Sequence, residues 1–246
     1  MKWPLTRRQC RQAVVVLSCA FALKLHYATA TADQLRWILT PTTALVEAMT
    51  GLTFEFESQA GYLSRERGFL IATSCAGVNF LLTAFLLLTL GRLWRGRLNW
   101  HFLPVAAATA YLVTLAANTV RICLALWLLR LPAKSYGWHP AQLHRYEGIL
   151  VYFGFLLLLF VMSEMRRTGK MMGRLRQVYF PLLVYYATTL GIPLLTRAWR
   201  QEPAFAEHTI AVLLLPLMLV LPFAALRFAV MQPPASDAAK TPPIGG

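Results

Sequence analysis

The sequence predicts an all-α, polytopic membrane protein with about six transmembrane helices. Of its 246 residues, 57% are hydrophobic and 14% are charged, whereas about a quarter of the residues of a soluble domain are charged. Several apolar runs reach the ~20 residues that an α-helix needs to cross a hydrocarbon core of ~30 Å. Helices satisfy every backbone hydrogen bond within the segment, which lipid requires.

Six stretches are predicted to span the membrane. They are Ala13–Ala30, Ile71–Leu93, Phe102–Arg121 or somewhat beyond, Glu147–Met165, Val178–Leu195 and Thr209–Val230. Residues 1–30 also resemble a cleavable secretory signal, with a basic start, an apolar stretch and "ATATA" as the cleavage region. We prefer an uncleaved span, in which Lys24 snorkels to the interface.

Basic residues are concentrated in three segments that alternate with more acidic ones. The basic residues are Lys2, Arg7, Arg8 and Arg11, then Arg92, Arg95 and Arg97, then Arg166, Arg167, Lys170, Arg174 and Arg176. Such segments face the cytoplasm, which places 32–70, 131–146 and 196–208 outside. Orientation and lipid contact account for the net charge of +14, so no nucleic-acid partner is predicted.

The domain organisation follows from these spans. Residues 1–230 are predicted to form one transmembrane domain, and 231–246 a disordered cytoplasmic tail rich in Pro, Gly and Ala. In the first outer loop, "FEFES" alternates aromatic and acidic residues, which indicates a short extended piece.

Four cysteines occur, at positions 10, 19, 75 and 123. There is no C-x-x-C pair and no H-E-x-x-H spacing, so neither a metal site nor a cofactor is predicted. A thiol oxidoreductase using Cys75 and Cys123 as a pair is a weakly supported alternative.

Cys75 lies where the second span is predicted to begin. Asn79, four residues further on, is expected to share its helix face, and Gly77 leaves room for a close approach of backbone or substrate. The competing interpretation is a small buried cysteine that packs like alanine.

Two further polar signals lie at the predicted outer ends of spans. Asn118 and Arg121 are spaced i, i+3 on one helix face, and an arginine at such depth usually faces a cavity or a partner. His144 follows Pro140, which favours the first position of a helix, and precedes Glu147 and Gly148. A structural ion pair between Arg121 and Glu147 is the alternative interpretation.

A thiol, a guanidinium and an imidazole on one membrane face suit acyl transfer by a cysteine nucleophile. The thiolate attacks a peptide carbonyl, histidine protonates the leaving amine, and arginine stabilises the oxyanion or lowers the pKa of a thiol. An amine or water would then resolve the thioester.

The three motifs in order resemble the exosortase/archaeosortase family, and "SCAGVNFLL" is most similar to the exosortase K subgroup. They are Cys75-Ala-Gly77, Asn118-Thr-Val-Arg121 and His144-Arg-Tyr-Glu-Gly148, within a motif-bearing core of 35–165. The resemblance implies a cysteine protease/transpeptidase of the bacterial inner membrane that cleaves C-terminal sorting signals of membrane-anchored, exported proteins and transfers them to an acceptor. It also implies that Cys75, Arg121 and His144 are catalytic. The chain is short for that family, which often has about eight spans.

A non-enzymatic membrane scaffold or transporter subunit is the second class of function. Asn118 and Arg121 would then line a polar path or pair structurally. Transporters often carry matched repeats with broken helices, and the sequence shows no such repeat.

Overall fold

The computed structural model describes residues 6–129, 140–168, 179–191, 194 and 205–231. The described residues form seven α-helices and three short strands, with a 3₁₀ turn at Thr73–Cys75 and a π-helical turn at Ala187–Gly191. The helices are α1 (Arg7–Thr29), α2 (Arg36–Thr50), α3 (Val78–Trp94), α4 (Phe102–Leu128), α5 (Pro140–Thr168), α6 (Tyr179–Tyr186) and α7 (Phe205–Met231). The strands are β1 (Glu55–Glu57), β2 (Gly61–Ser64) and β3 (Phe69–Ala72).

The membrane-protein class rests on helix length and composition. Among the described residues, four helices are long and apolar enough to cross a membrane: Arg7–Thr29, Thr73–Trp94, Phe102–Leu128 and Gln142–Ser163. The fifth and sixth predicted spans fall on α6 with its π-helical turn and on α7, so a total of six spans stays a prediction. The predicted tail, apart from Met231, lies outside the described residues, as do most of the second and third outer loops.

The predicted first outer segment, residues 32–70, is more structured than the sequence indicated. Residues 36–50 form α2, which packs on α4. The helix ends at Gly51, whose φ of 71° lies in the left-handed region that glycine adopts readily. The strands then form an antiparallel sheet in the order β1-β2-β3. β1 covers the "EFE" of the alternating stretch, so that piece is extended as predicted, while the all-α class omits this small sheet.

The predicted start of the second span at Ile71 is wrong. Ile71 belongs to β3, the 3₁₀ turn follows, and α3 begins only at Val78. Gly77 separates the turn from the helix with a φ of 71°, a conformation that an α-helix cannot contain. Hydropathy alone cannot distinguish a short buried apolar strand from the first turns of a buried helix.

α1 is attached to the rest of the bundle at the end with the basic loop. Thr6 and Gln9 form a reciprocal capping box at its start. The buried Gln12 donates from Nε2 to the carbonyl of Leu98 at 2.9 Å, and Val16 is buried against α3. These contacts make α1 part of the described fold.

The buried apolar residues form two clusters. The larger one joins α3, α4, α5, α6 and α7 along the bundle. The smaller one lies where α2 and β3 cover the second half of α4, and it includes Ile38, Ile71, Cys75 and Ile122. The predicted site therefore lies at the border between the bundle and the outer segment.

Candidate active site

Cys75 ends the 3₁₀ turn between β3 and α3, three residues before the helix begins. Asn79 lies on α3, so Cys75 and Asn79 do not share a helix face, and that prediction is wrong. Asn79 is exposed and accepts a hydrogen bond at 2.7 Å from Lys24 Nζ on α1. Asn79 therefore joins α1 to α3 beside the site.

Gly77 is where the turn comes closest to α4. A Cβ atom at this position would lie 3.2 Å from Thr114 Cγ2 and 3.3 Å from Asn118 Cγ. Such contacts are tighter than ordinary van der Waals packing. The sequence predicts a close approach of backbone or substrate at Gly77, whereas in the structure the side chains of Thr114 and Asn118 occupy that space.

Asn118 is fully buried and holds the backbone of the cysteine. Its Nδ2 donates to the carbonyl oxygen of Cys75. Its Oδ1 accepts from the hydroxyl of Tyr152 on α5 at 2.9 Å. A single amide side chain thus connects the turn before α3 to α5.

Arg121 is the origin of two chains of hydrogen bonds. It precedes the end of α4 by about two turns, or ~10 Å. Nη1 donates to the Tyr152 hydroxyl at 2.6 Å, and Nη2 lies 3.1 Å from Nε2 of His144. A guanidinium has donors only. The Tyr152 hydroxyl therefore accepts from Arg121 and donates its own hydrogen bond to Asn118, and His144 Nε2 accepts a hydrogen bond from Arg121.

This donor chemistry fixes the tautomer of His144. With Nε2 accepting from Arg121, the ring proton sits on Nδ1, which donates to Oε2 of Glu147 at 3.2 Å. A carboxylate, an imidazole and a guanidinium are therefore hydrogen-bonded in series. The sequence suggested a direct ion pair between Arg121 and Glu147 as an alternative. In the structure the two side chains are connected through His144.

The H-x-x-x-G spacing has a direct structural reason. His144 and Gly148 both belong to α5, so they lie one turn apart on the same face. A Cβ at Gly148 would lie 3.4 Å from Nε of Arg121. The histidine therefore binds the guanidinium while the glycine makes room for it.

The site combines buried and open parts. Cys75 is only 8% exposed, whereas the His144 side chain is 40% exposed and that of Glu147 only 4%. Arg121 Nε and Glu147 Oε1 are buried, and neither has a hydrogen-bond partner among the residues that the structure describes. Unmatched buried polar atoms of this kind are costly unless water or a ligand pairs with them.

Tyr152 is the site residue that sequence reasoning missed. It stacks on Phe80 of α3 with ring centroids 4.8 Å apart. Its signal was the stripe of positions 144, 148 and 152, which continues the i, i+4 spacing of the histidine motif.

The described part of the chain contains no group of three or more His, Cys, Asp and Glu side chains that could hold a metal ion. The chemistry that the site offers is that of its own thiol, imidazole, carboxylate, phenol and guanidinium. In enzymes, groups of these kinds can carry out proton transfer, nucleophilic attack and anion stabilisation.

Comparison of the chain with protein-family models, with curated proteins and with solved structures gives no match in any of the three.

Proposed function

We propose that this protein is a membrane-embedded cysteine protease/transpeptidase that cleaves C-terminal sorting signals of exported proteins through a thioester on Cys75. One observation carries the proposal. The residues singled out by the three motifs lie in one continuous set of hydrogen bonds, from the Cys75 carbonyl through Asn118, Tyr152, Arg121 and His144 to Glu147. A bundle that needed only to be stable gains little from so many polar groups in its interior.

The nucleophile in this proposal is the Cys75 sulfur. The thiol proton passes to Nε2 of His144, and the thiolate attacks the carbonyl carbon of the scissile peptide bond. The C–N bond of the tetrahedral intermediate then breaks, and the proton on His144 goes to the leaving amine. The acyl group remains on sulfur as a thioester until an amine acceptor or water attacks it.

The hydrogen bonds around His144 suit its role of accepting a proton from the thiol and donating it to the leaving amine. Glu147 accepts from Nδ1, so the imidazole presents Nε2 as its basic atom and the imidazolium that forms is balanced by a carboxylate. When Nε2 takes a proton it can no longer accept from Arg121. Nη2 of Arg121 is then released as a donor for the oxyanion, which favours the oxyanion role over activation of the thiol.

The position of the site suits a substrate that is itself a membrane span. Arg121 lies about two turns below the end of α4, at the end of the bundle opposite the basic loop. With that loop cytoplasmic, the site faces the exterior of a bacterial inner membrane. The partners are membrane-anchored proteins with a C-terminal signal, and the bilayer supplies part of the water-excluding wall.

The test is quantitative mass spectrometry of exported proteins in cells that produce either the wild-type chain or the Cys75→Ala variant. The proposal expects membrane-anchored precursors with intact C-terminal spans to accumulate in the variant. Cys123→Ser is the matched control, because Cys123 is a half-buried thiol on α4 outside the hydrogen-bond chain. Unchanged processing in Cys75→Ala, with the variant inserted at normal levels, would refute the proposal.

The burial of Cys75 supports the second candidate, a non-enzymatic scaffold. In that case the thiol packs as a small apolar group, and the polar chain only fixes the arrangement of α3, α4 and α5. Alkylation from the outer side distinguishes the two. A catalytic Cys75 reacts with a polar maleimide when the site opens, at a rate that a bound substrate peptide lowers, whereas a packing cysteine stays unmodified.

A further inference from the structure

We propose that the open edge of β3 binds the substrate polypeptide as an added, extended strand that leads to Cys75. This binding mode rests on the proposed function and describes how the same site holds its substrate. β3 is an outer strand of the sheet, whose order is β1-β2-β3. The 3₁₀ turn that ends at Cys75 begins directly after β3. Because consecutive Cα atoms are ~3.8 Å apart, the Cα atoms of Ala72 and Cys75 are separated by no more than ~11 Å.

The backbone groups at the open edge belong to Leu70 and Ala72. A Cβ added to Gly61 of β2 would collide with the carbonyl oxygen of Ile71, so this carbonyl points towards β2. Along an antiparallel strand, successive residues direct their N–H and C=O groups alternately to one side and the other. Those of Leu70 and Ala72 therefore point away from β2. Within the described part of the chain, no backbone group outside the sheet forms a hydrogen bond with either residue.

The two edges of the sheet differ in charge. β1 has the sequence Glu-Phe-Glu, and Arg65 lies 2.9 Å from the carboxylate of Glu55. Charged side chains of this kind on an edge strand discourage pairing with another chain. β3 has the sequence Phe-Leu-Ile-Ala, which carries no charge, and Leu70 is 40% exposed. Of the two edges, β3 is therefore the one suited to accept a further strand.

The short distance from β3 to Cys75 identifies the added strand as the substrate. Attack on a peptide carbonyl requires the residues beside the scissile bond to be held in one orientation. Strand addition provides this through main-chain hydrogen bonds, which do not depend on side-chain identity. An extended chain rises ~3.3 Å per residue. A scissile bond at Cys75 therefore places substrate residues roughly three positions away beside Ala72.

The enzyme's side of this contact is tested with Ala72→Pro. Ala72 has a φ of −81°, which proline can adopt, and its N–H points outward, so proline removes an edge donor without breaking the pairing with β2. The substrate is the C-terminal region of a precursor that accumulates in cells producing Cys75→Ala. We expect the KM for cleavage to rise about tenfold with kcat largely kept, because a hydrogen bond of substrate binding is lost. Ala72→Val keeps the N–H, so its smaller rise in KM measures the steric part of the effect.

The substrate's side is tested with synthetic peptides of that region in which single backbone nitrogens are methylated. Because a strand pairs with its neighbour through every second residue, methylation should weaken binding to the Cys75→Ala protein at alternate positions. Hydrogen exchange of the β3 amides should slow when the unmodified peptide binds, while exchange in β1 stays unchanged. If the melting temperature shows that Ala72→Pro does not fold, the methylated series decides alone.

Failure of strand addition and failure of the proposed function give different results. Cleavage that depends on Cys75 but has the same KM in Ala72→Pro and Ala72→Val, with no alternation in the methylated series, would overturn strand addition and leave the protease in place. A wild-type dimer that Ala72→Pro dissociates, with cleavage unaffected, would assign the edge to a second copy of the chain. Slowed exchange in β3 and alternation without any cleavage would refute the protease and retain the added strand. If no precursor accumulates with Cys75→Ala, both proposals fall.

Discussion

Arg121 organises the site because it can donate hydrogen bonds but never accept them. Its two Nη atoms bind a phenol and an imidazole, and each of these must orient its own proton away from the guanidinium. One residue thereby sets the direction of the hydrogen bonds on both sides. Such directionality matters most in a low-dielectric interior, where an unpaired polar group is expensive.

Tyr152→Phe tests this arrangement at a single atom. Removing the hydroxyl takes one hydrogen bond from the buried Asn118 Oδ1 and one from Arg121 Nη1, and a buried polar group left unpaired costs ~1–3 kcal/mol. We expect a lower melting temperature and at least a tenfold loss of precursor processing, because Asn118 no longer holds the Cys75 carbonyl firmly. The assays are thermal unfolding in detergent and processing in cells.

Tyr111→Phe is the control for that experiment. Tyr111 also lies in a predicted span and also donates from its hydroxyl, to the carbonyl of Trp37 at 2.7 Å, but it takes no part in the site. It should retain processing. Equal activity in the two variants would show that the Tyr152 hydroxyl does not position the site.

At the scale of elements, the junction between β3 and α3 determines where the cysteine lies. Gly77 ends the turn with a left-handed φ and at the same time makes room for Asn118. The two requirements are separable by mutation. Left-handed backbone costs an alanine ~1–2 kcal/mol, and the contact with Asn118 adds a steric cost.

Gly77→Ala should therefore destabilise the protein more than Gly51→Ala. Gly51 has the same φ of 71° but nothing within 4 Å of an added Cβ. We expect Gly51→Ala to lose only the free energy that left-handed backbone costs an alanine, and to process precursors normally. Gly77→Ala should also displace Asn118 and lose processing. Matching losses in melting temperature and activity would contradict the role given to the Gly77–Asn118 contact.

Asp33 lies just before α2 and accepts hydrogen bonds from Ser58 and Gln59, which follow β1. We expect the stability that these contacts contribute to depend on pH. The backbone N–H of Gln59 and the hydroxyl of Ser58 donate to its carboxylate, and together with the nearby Arg36 they lower the pKa of Asp33 below its ordinary 3.8. A lowered pKa in the folded state stabilises the fold fully above pH 3.8, and this stabilisation is lost as the pH falls through the folded value.

Asp33→Asn should accordingly lower the melting temperature at pH 7 and have a progressively smaller effect below pH 3.8. The measurement is thermal unfolding in detergent across that range, with Glu66→Gln as an exposed carboxylate control. A difference between wild type and Asp33→Asn that stays constant with pH would exclude the proposed linkage.

At the scale of the whole molecule, the sequence predicts which side chains come together better than it predicts the helices and strands that carry them. Arg121 stands out because a charge is costly inside a span. His144 stands out because it follows Pro140 near the predicted start of a helix and because an imidazole suits proton transfer near neutral pH. Tyr152 does not stand out, because a tyrosine in an apolar helix looks like ordinary packing. The sequence pattern places Cys75 inside a helix, and it lies in a 3₁₀ turn instead, because β3 has the hydropathy of a helix start.

The fold explains how polar chemistry can exist inside an apolar bundle. α2 and β3 cover the second half of α4, so the Cys75 turn is held between the outer segment and the bundle. The His144 side chain remains 40% exposed while Cys75 is 8% exposed. The proposed reaction would therefore require the turn around Cys75 to open locally for each substrate, and conformational steps of this kind often limit turnover.

In the proposed reaction, Cys75 carries an acyl group as a thioester. This step is tested by intact mass spectrometry of the purified protein after incubation with a membrane-anchored peptide that ends in a short motif, an apolar span and a basic tail. We expect a mass increase on Cys75 that hydroxylamine reverses and that Cys75→Ala lacks. Cleavage of the peptide at an undiminished rate by Cys75→Ala would contradict it.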